Sequence, residues 1–387
     1  MAEGQASRRI VMLVRNRYTH DTRVEKEARS LVEAGHHVTV VADAGIGLPR
    51  RETRDRVDVL RVPRRGPSIP GVRFAVHEWL LARVLRGLQP DVLHAHDSNA
   101  LIPVAAAARA LRIPFVYDAH DLWLGRPRRE RSRIYFALNQ LYYTLVERLL
   151  VPRAAATVTV SRPIAEHLER RYRLASVALV PNFPEPSGAV VPRTLRGLPG
   201  GESISEDRAV VLYLGGLMAG RGLEELVDAV ALAPSIQLVL LGDGVLGGAL
   251  LARARGVGAA DRVHLLEPVV PDEVVAHAAA ADLGVSPIVP SCLNYRYSLP
   301  NKLFQYMAAA IPVVASDFPQ VREVVESAAC GSLVDTTRPA EIAEAIERIL
   351  ADPIGAKAMG ARGRAAIDDR YNWAVAARTL LEVYARL

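Results

Sequence analysis

The sequence predicts an α/β protein built from two doubly wound, mainly parallel sheets in series. Three observations carry this. Over residues 10–160, short apolar, β-branched runs alternate with helical patterns, which is how parallel strands joined by crossover helices read. From Pro181 to Asp207 the alternation is broken by Pro181, Pro184, Pro186, Pro192, Pro199 and the pair Gly200–Gly201, the composition of an interdomain linker. The alternation then restarts. With 387 residues, 50% of them hydrophobic, the chain is long enough for two full cores.

In the first half, Ile10–Val14, His37–Ala42, Val57–Val62, Asp91–Ala95, Pro114–Asp118 and Ala156–Val160 read as strands. Thr22–Ala34 reads as a helix. Val24, Ala28, Leu31 and Val32 share its inner face and Gly35 stops it. In the second half, Ala209–Leu214, Ile236–Leu241, Arg262–Leu266, Asp282–Ser286 and Ile311–Ala315 read as strands, and Tyr371–Leu387 as a closing helix. The expected boundaries are 1–182, 183–370 and 371–387. Ligands of such sheets bind beyond the carboxyl ends of the strands, so the strand-to-helix connections and a cleft between the halves are where chemistry is expected.

Composition narrows the partners. The net charge is +6, and among 48 basic residues only Lys26, Lys302 and Lys357 are lysine. A basic balance suits acidic small molecules or anionic lipid; no zinc-finger spacing or RNA-binding aromatic motif points to nucleic acid. No apolar run approaches the ~20 residues of a membrane span, and Ile10–Val14 is too short for a signal-peptide core. Cys292 and Cys330 are too few for a disulfide framework, so a reducing cytoplasm is expected.

The most informative stretch runs from Ser298 to Ser316. Ser298 suits an N-cap and Pro300 a first helical turn, whose free N–H groups attract an anion. Lys302 adds a full charge in that turn, and Gln305 follows three residues later on nearly the same face. The same pattern also describes a plain capped helix with a solvated lysine. Tyr213–Leu223 is a glycine-rich connection with Gly215, Gly216 and Arg221, a phosphate contact or a flexible turn. Tyr117-Asp-Ala-His-Asp121 sets His120 between two acids at a strand end, where acid–base or hydrogen-bonding work is expected.

His94 and His96 alternate on one strand and so could hold a metal. No further ligand cluster is evident from the sequence, and the expected reading is one histidine packed and one facing the cleft, with no metal. Arg15–Arg23 connects the first strand to the first helix; His20, Asp21 and Arg23 are acceptor-side candidates there, as are His96 and Asp97 further on, while Asp21 or Thr22 serves equally as a helix cap. Gly242-Asp-Gly-Val-Leu-Gly247 is a literal dinucleotide fingerprint, with Glu267 ending the next strand. It makes an NAD-dependent oxidoreductase the competing enzyme class, although Asp243 would put a negative charge inside a pyrophosphate loop. Arg126, Arg128, Arg129, Arg131 and Arg133 precede the amphipathic helix Ile134–Leu150, whose Ile134, Leu138, Leu141, Leu145 and Leu149 share a face. The usual fate of such a helix is burial in a domain core; the other reading is peripheral docking on anionic lipid.

These motifs resemble glycosyltransferase family four, of the GT-B fold, two Rossmann-like domains facing each other across a cleft. Ser298–Ala310 is similar to the family's S-L-P-N-K-L-F-E-Y-M-A-A-G, with Gln305 and Tyr297 in place of the Glu-x7-Glu pair and Ala310 in place of Gly. Tyr213–Leu223 resembles G-R-L-x-x-x-K-G, with Arg221 for the lysine and Gly216 for the arginine. His120 matches a D-x-H histidine near the reacting sugar. The N-terminal loop resembles a branch reading N-x-x-x-x-D-x-R-V.

The resemblance implies retaining transfer from a nucleoside-diphosphate sugar to a hydroxyl on a glycan, lipid-linked or natural-product acceptor. No metal or other cofactor is implied, and the last helix crosses back to the first domain. It implies catalytic roles for His120, Arg221 and Lys302, and donor binding by Gly215, Gly216, Tyr297, Ser298, Asn301 and Gln305 beside them. The missing acids leave a binding protein of GT-B fold without activity as the non-enzymatic alternative.

Overall fold

The computed structural model describes residues 7–64, 70–127, 132–185, 188 and 190–387. Its chain divides into two compact units, the first reaching Asn182 and including Ala376–Leu387, the second spanning Phe183–Val375.

The first unit runs β1 (Arg9–Leu13), α1 (Thr22–Glu33), β2 (His37–Asp43), β3 (Arg51–Arg54), β4 (Val57–Val62), α2 (Pro70–Gly87), β5 (Val92–His96), α3 (Leu101–Leu111), β6 (Phe115–Ala119), α4 (Arg133–Leu150), β7 (Ala156–Thr159), α5 (Arg162–Tyr172) and β8 (Ala178–Leu179). Its sheet has the order β3-β4-β2-β1-β5-β6-β7-β8. All pairs are parallel except β3–β4. The chain builds outward from β1 through β2 and then returns to lay β5 on β1's other edge, so the order reverses between β1 and β5. At such a point adjacent connections diverge and leave a crevice at the carboxyl edge. β5 and β6 are buried along their whole length, as central strands covered on both faces must be. That burial drives His94, His96 and Asp118 inside along with their apolar neighbours.

The second unit runs β9 (Ala209–Leu214), α6 (Leu223–Leu232), β10 (Ile236–Leu241), α7 (Gly247–Gly256), β11 (Val263–Leu266), α8 (Val274–Ala278), β12 (Leu283–Ser286), α9 (Leu293–Tyr297), α10 (Asn301–Ala308), β13 (Val313–Ser316), α11 (Pro319–Ala328), β14 (Gly331–Val334), α12 (Pro339–Leu350) and α13 (Pro353–Asp369). The last helix, α14 (Trp373–Ala385), continues into the segment that belongs to the first unit. The second sheet is wholly parallel, β11-β10-β9-β12-β13-β14, with its reversal between β9 and β12. Leu226, Val227, Leu238, Leu240, Val285 and Ile346 are fully buried in its core. Each contributes roughly 1.5–3 kcal/mol relative to exposure.

Three local details depart from the sequence reading. Helix α10 starts at Asn301 behind an extended Pro300, and Ser298 instead closes α9, its hydroxyl donating to the Tyr295 carbonyl at 2.8 Å. The expected Ser298 cap is therefore wrong: extended backbone at Ser298 and Pro300 separates two helices instead of opening one. Ala310 takes a left-handed φ of 58°, a conformation costing a non-glycine residue roughly 1–2 kcal/mol. The third concerns the dinucleotide-like glycines. A Cβ on Gly242 would stand 2.3 Å from the Gly215 carbonyl oxygen and one on Gly244 2.4 Å from that of Leu217. Leu217 N–H donates to the Asp243 carbonyl at 2.7 Å. These glycines let two loops of the second unit pack backbone to backbone, which accounts for their presence without a dinucleotide.

Candidate functional site

Two clusters lie at the reversal points, one in each unit. In the second unit, the connection after β9 carries Gly215, Gly216 and Arg221, and the α9–α10 segment after β12 brings Tyr295, Asn301 and Lys302 to it. Lys302 Nζ sits 3.4 Å above the centroid of the Tyr213 ring, and the Arg221 guanidinium carbon 4.8 Å from that of Tyr295. A Cβ on Gly215 would be 3.9 Å from Lys302 Nζ, so the glycine leaves the ammonium group uncovered on that side. Burial, and then the Arg221 charge, push the Lys302 ammonium well below the usual lysine range. Among the described residues neither cation has a carboxylate partner. Two aromatic faces thus hold two cations close together, an arrangement whose charge suits an anionic group. Gln305 lies one turn beyond Lys302 on α10 and is half-buried, Asn301 is exposed at the helix start, and Tyr297 ends α9. Ser298 lies between α9 and α10, its hydroxyl donating to the Tyr295 carbonyl.

In the first unit, His120 follows β6 and Asp97 follows β5. His120 Nε2 is 3.2 Å from Asp97 Oδ2, and its Nδ1 is 3.3 Å from Asp118 Oδ2. Burial opposes charge on this ring, yet the two carboxylates outweigh it and hold His120 well above the ordinary histidine value. Both ring nitrogens of the resulting imidazolium donate to acids, so His120 is a fixed charged donor. A quarter of its side chain stays exposed.

Asp118 is completely buried. Burial alone would raise its pKa, but Arg23 and the hydrogen bonds from His120 and His96 hold it well below the usual carboxylate range. Arg23 grips it with two bonds of 2.8 Å, from Nε to Oδ2 and from Nη2 to Oδ1. Nη1 donates to the Val180 carbonyl at 2.6 Å, and Glu27 Oε1 lies 3.0 Å from Nη2. Arg23 thus does not face an acceptor: a guanidinium between two buried acids is needed to neutralise them.

His96 is also internal. Its ring stacks on His94 at 4.3 Å and its Nδ1 meets Asp118 Oδ2 at 3.0 Å, so it too leaves the acceptor side. His94 Nδ1 pairs with the Tyr384 hydroxyl of α14 at 2.8 Å. No further ligands around this histidine pair are evident along the chain, but folding brings Glu27 and Asp118 to it, all four offering ligand atoms within 4.8 Å of one another. Arg23 already supplies the positive charge on that side. Glu27 was missed, although its i,i+4 spacing from Arg23 was visible.

Asp21 caps α1, accepting from Val24 N–H at 3.2 Å and from Asn16 Nδ2 at 2.7 Å, while His20 is exposed. Arg126 is not a lipid-facing arginine. It stacks on Trp123 with its guanidinium carbon 4.0 Å from the ring centroid, and pairs with Asp97 and Asp121. Arg128, Arg129 and Arg131 lie outside the described residues. Helix α4 overturns the expectation of burial. Ile134 is 74% exposed, Leu138 61%, Leu141 56%, Leu145 51% and Leu149 55%.

The chain matches the model of "Glycosyltransferase Family 4" over residues 21–186 and that of "Glycosyl transferases group 1" over 208–352. It is 30% identical over 315 residues to a D-inositol 3-phosphate glycosyltransferase of Xylanimonas cellulosilytica, covering 76% of this chain and 72% of that one. Its fold is that of a sucrose-phosphate synthase from Thermosynechococcus elongatus, with a TM-score of 0.79, 19% identity and 98% of each chain covered. It is also that of HepE from Anabaena in complex with UDP-glucose, with a TM-score of 0.73, 18% identity, and 98% of this chain and 100% of that one covered. The two α/β units with their parallel sheets are thus those of a GT-B glycosyltransferase, and the chain belongs to glycosyltransferase family 4.

Proposed function

We propose that the protein transfers a sugar from a nucleoside-diphosphate sugar to an acceptor hydroxyl, with retention of anomeric configuration and without a metal. The observation that carries this is the pair Lys302 and Arg221, two close cations without acids at the reversal point of the second sheet. The solved HepE complex, whose title names UDP-glucose, supports this donor class. As the bond from the sugar C1 to the diphosphate oxygen breaks, charge grows on the leaving diphosphate. Lys302, Arg221 and the first-turn N–H groups of α10 stabilise it there. A new bond forms from C1 to the acceptor oxygen, and the acceptor proton leaves with the diphosphate. His120, with both N–H groups held by Asp97 and Asp118, supplies a fixed positive charge beside the sugar.

A thermal-shift screen with UDP, GDP, dTDP, ADP and NAD tests the reading, since a ligand bound only by the folded state raises the melting temperature. One of the four nucleoside diphosphates is expected to stabilise; stabilisation by NAD alone would favour the oxidoreductase. Turnover with UDP-glucose or GDP-mannose then separates an enzyme from an inactive binding protein. In the same proteins Gln305→Ala should weaken nucleotide binding by ~1–3 kcal/mol, because an amide can accept from one ribose hydroxyl and donate to the other. Gln305→Glu should bind as tightly or more tightly. Unchanged affinity in Gln305→Ala removes the ribose contact.

The proposal includes a cytoplasmic protein that touches an anionic membrane. No described helix is long and apolar enough to cross a membrane, but α4 presents its apolar stripe to solvent. An apolar groove of about 1020 Å³ runs beside it, lined by Ile102, Tyr142, Leu145 and Leu149 with Arg109 and Arg153. On α2, α3 and α4 the acids Glu78 and Glu147 are buried, whereas Arg73, Arg83, Arg86, Arg109, Arg133 and Arg148 are exposed. A like-charged second copy would be repelled by this face and anionic headgroups attracted, at ~1 kcal/mol per basic side chain near the surface. Sedimentation with phosphatidylglycerol vesicles should be salt-sensitive and lost in Leu141→Ser/Leu145→Ser. Absence of binding at low salt points to a water-soluble acceptor.

A further inference from the structure

We propose that Asp97 binds a sugar hydroxyl directly through its Oδ1, which makes it a substrate-contacting residue of this site. The inference rests on the glycosyl-transfer reading and adds to it a residue that decides which sugar is accepted. Three independent observations converge on Asp97.

The first is its backbone. Asp97 has φ 63° and ψ 166°, a region essentially reserved for glycine and, for other residues, concentrated at active sites. The position is held from both sides, by Asp97 N–H donating to the Asp118 carbonyl at 2.8 Å and Ala100 N–H donating to the Asp97 carbonyl at 3.1 Å. A glycine would sit there without strain, so the strain accompanies the side chain.

The second is an unpaired atom. Asp97 is only 9% exposed, and its Oδ2 already serves His120 Nε2 and Arg126 Nη2, both at 3.2 Å. Its Oδ1 is buried with no hydrogen-bond partner among the described residues. A buried carboxylate oxygen without a donor is costly, and a sugar hydroxyl supplies the missing donor.

The third is connection. Oδ2 is bound to the Nε2 side of His120, so the free Oδ1 stands one carboxylate away from the histidine assigned to the sugar. Arg126 fixes the carboxylate from the other side, itself tied to Asp121 and stacked on Trp123. Asp97 is held below the ordinary aspartate value despite its burial, because His120 and Arg126 favour its charge. It is therefore ionised and accepts, rather than donates, at neutral pH.

The hydroxyl can belong to the donor sugar or to the acceptor, and the test separates them. Asp97→Asn keeps the shape and removes the charge. Calorimetry compares UDP with UDP-glucose and GDP with GDP-mannose on wild type and variant. Turnover is followed with the same two donors and with glucose, mannose and myo-inositol as acceptor probes. A donor contact predicts that Asp97→Asn loses the affinity difference between nucleotide sugar and nucleotide while nucleotide affinity stays level. An acceptor contact predicts unchanged donor affinity with acceptor kcat/KM down by ~10-fold or more.

Asp97→Gly and Asp97→Ala provide a readout besides activity. Both lose the carboxylate, but only glycine relaxes the backbone, so Asp97→Gly should melt above Asp97→Ala, the reverse of the usual order. Wild-type protein that binds and turns over none of these donors overturns the glycosyl-transfer reading, and this inference with it. Wild-type activity with an Asp97→Asn that matches it in every affinity and rate overturns only the role of Asp97. Asp97→Ala melting at or above Asp97→Gly overturns the strain that motivates it.

Discussion

Lys302→Ala and Arg221→Ala are each expected to lower turnover by ~10²-fold or more, the usual effect of removing one preorganised stabiliser of transition-state charge. The fold should tolerate both. Lys302→Ala removes a buried cation and Arg221→Ala the like charge that acts on it, so the melting temperature stays level or rises. Lys302 adds a signature of its own. Its depressed pKa reflects burial and Arg221 in the absence of an anion, and a bound diphosphate reverses the sign of that environment. Above its depressed pKa, nucleotide binding should therefore be coupled to proton uptake, seen by calorimetry in buffers of different ionisation enthalpy. The uptake should vanish in Lys302→Ala. Near-normal rates in both variants would take this cluster out of the mechanism.

His120→Ala is expected to lower kcat by ~10² while leaving free-nucleotide affinity intact, since His120 and the cations proposed to bind the nucleotide belong to separate units. The pH dependence follows from the directions of the shifts. His120 is held above its ordinary value of about 6.5. Its contribution to stability is complete below about pH 6.5 and is lost as pH rises through the raised value, and activity should decline over the same alkaline window. Asp118 is held low, so its contribution is complete above the ordinary aspartate value of about 3.9 and is lost only as pH falls through the lowered one. His120→Gln, which keeps a donor and loses the charge, should abolish the alkaline decline. Equal losses in turnover and in nucleotide affinity for His120→Ala would mark it as a binding residue instead.

Much of the frame was legible in the residues. Val57–Val62, Ala209–Leu214 and Ile236–Leu241 form strands over the predicted spans: the first through β-branched residues alternating with Asp58, the other two because largely aliphatic runs suit strands covered on both faces. β3 was missed because its Arg-Glu-Thr-Arg sequence has no apolar face to reveal it and is tolerated only at a sheet edge. β14 was missed because Gly331 and Ser332 dilute a four-residue strand. In α4 the periodicity was read correctly and its fate was not. An apolar stripe says which residues share a face, but not whether anything packs on that face.

The sequence by itself determined the alternation of strands and helices, the break between the halves, and the motifs that hold Lys302, Arg221 and His120 at strand ends. These are short-range properties, set by side-chain periodicity, turn residues and local charge. Only the tertiary structure decided which polar groups meet. Arg23, Asp118 and Val180 are far apart in the chain, and their joining turns a predicted acceptor contact into the internal counter-ion of a buried acid. The same assembly clamps His120 between Asp97 and Asp118, brings Tyr384 to His94, and assigns Gly242 and Gly244 to loop packing. The physical reason is burial. Once a charge or a polar atom leaves water it must find its partner in space, and nearness along the sequence does not specify that partner.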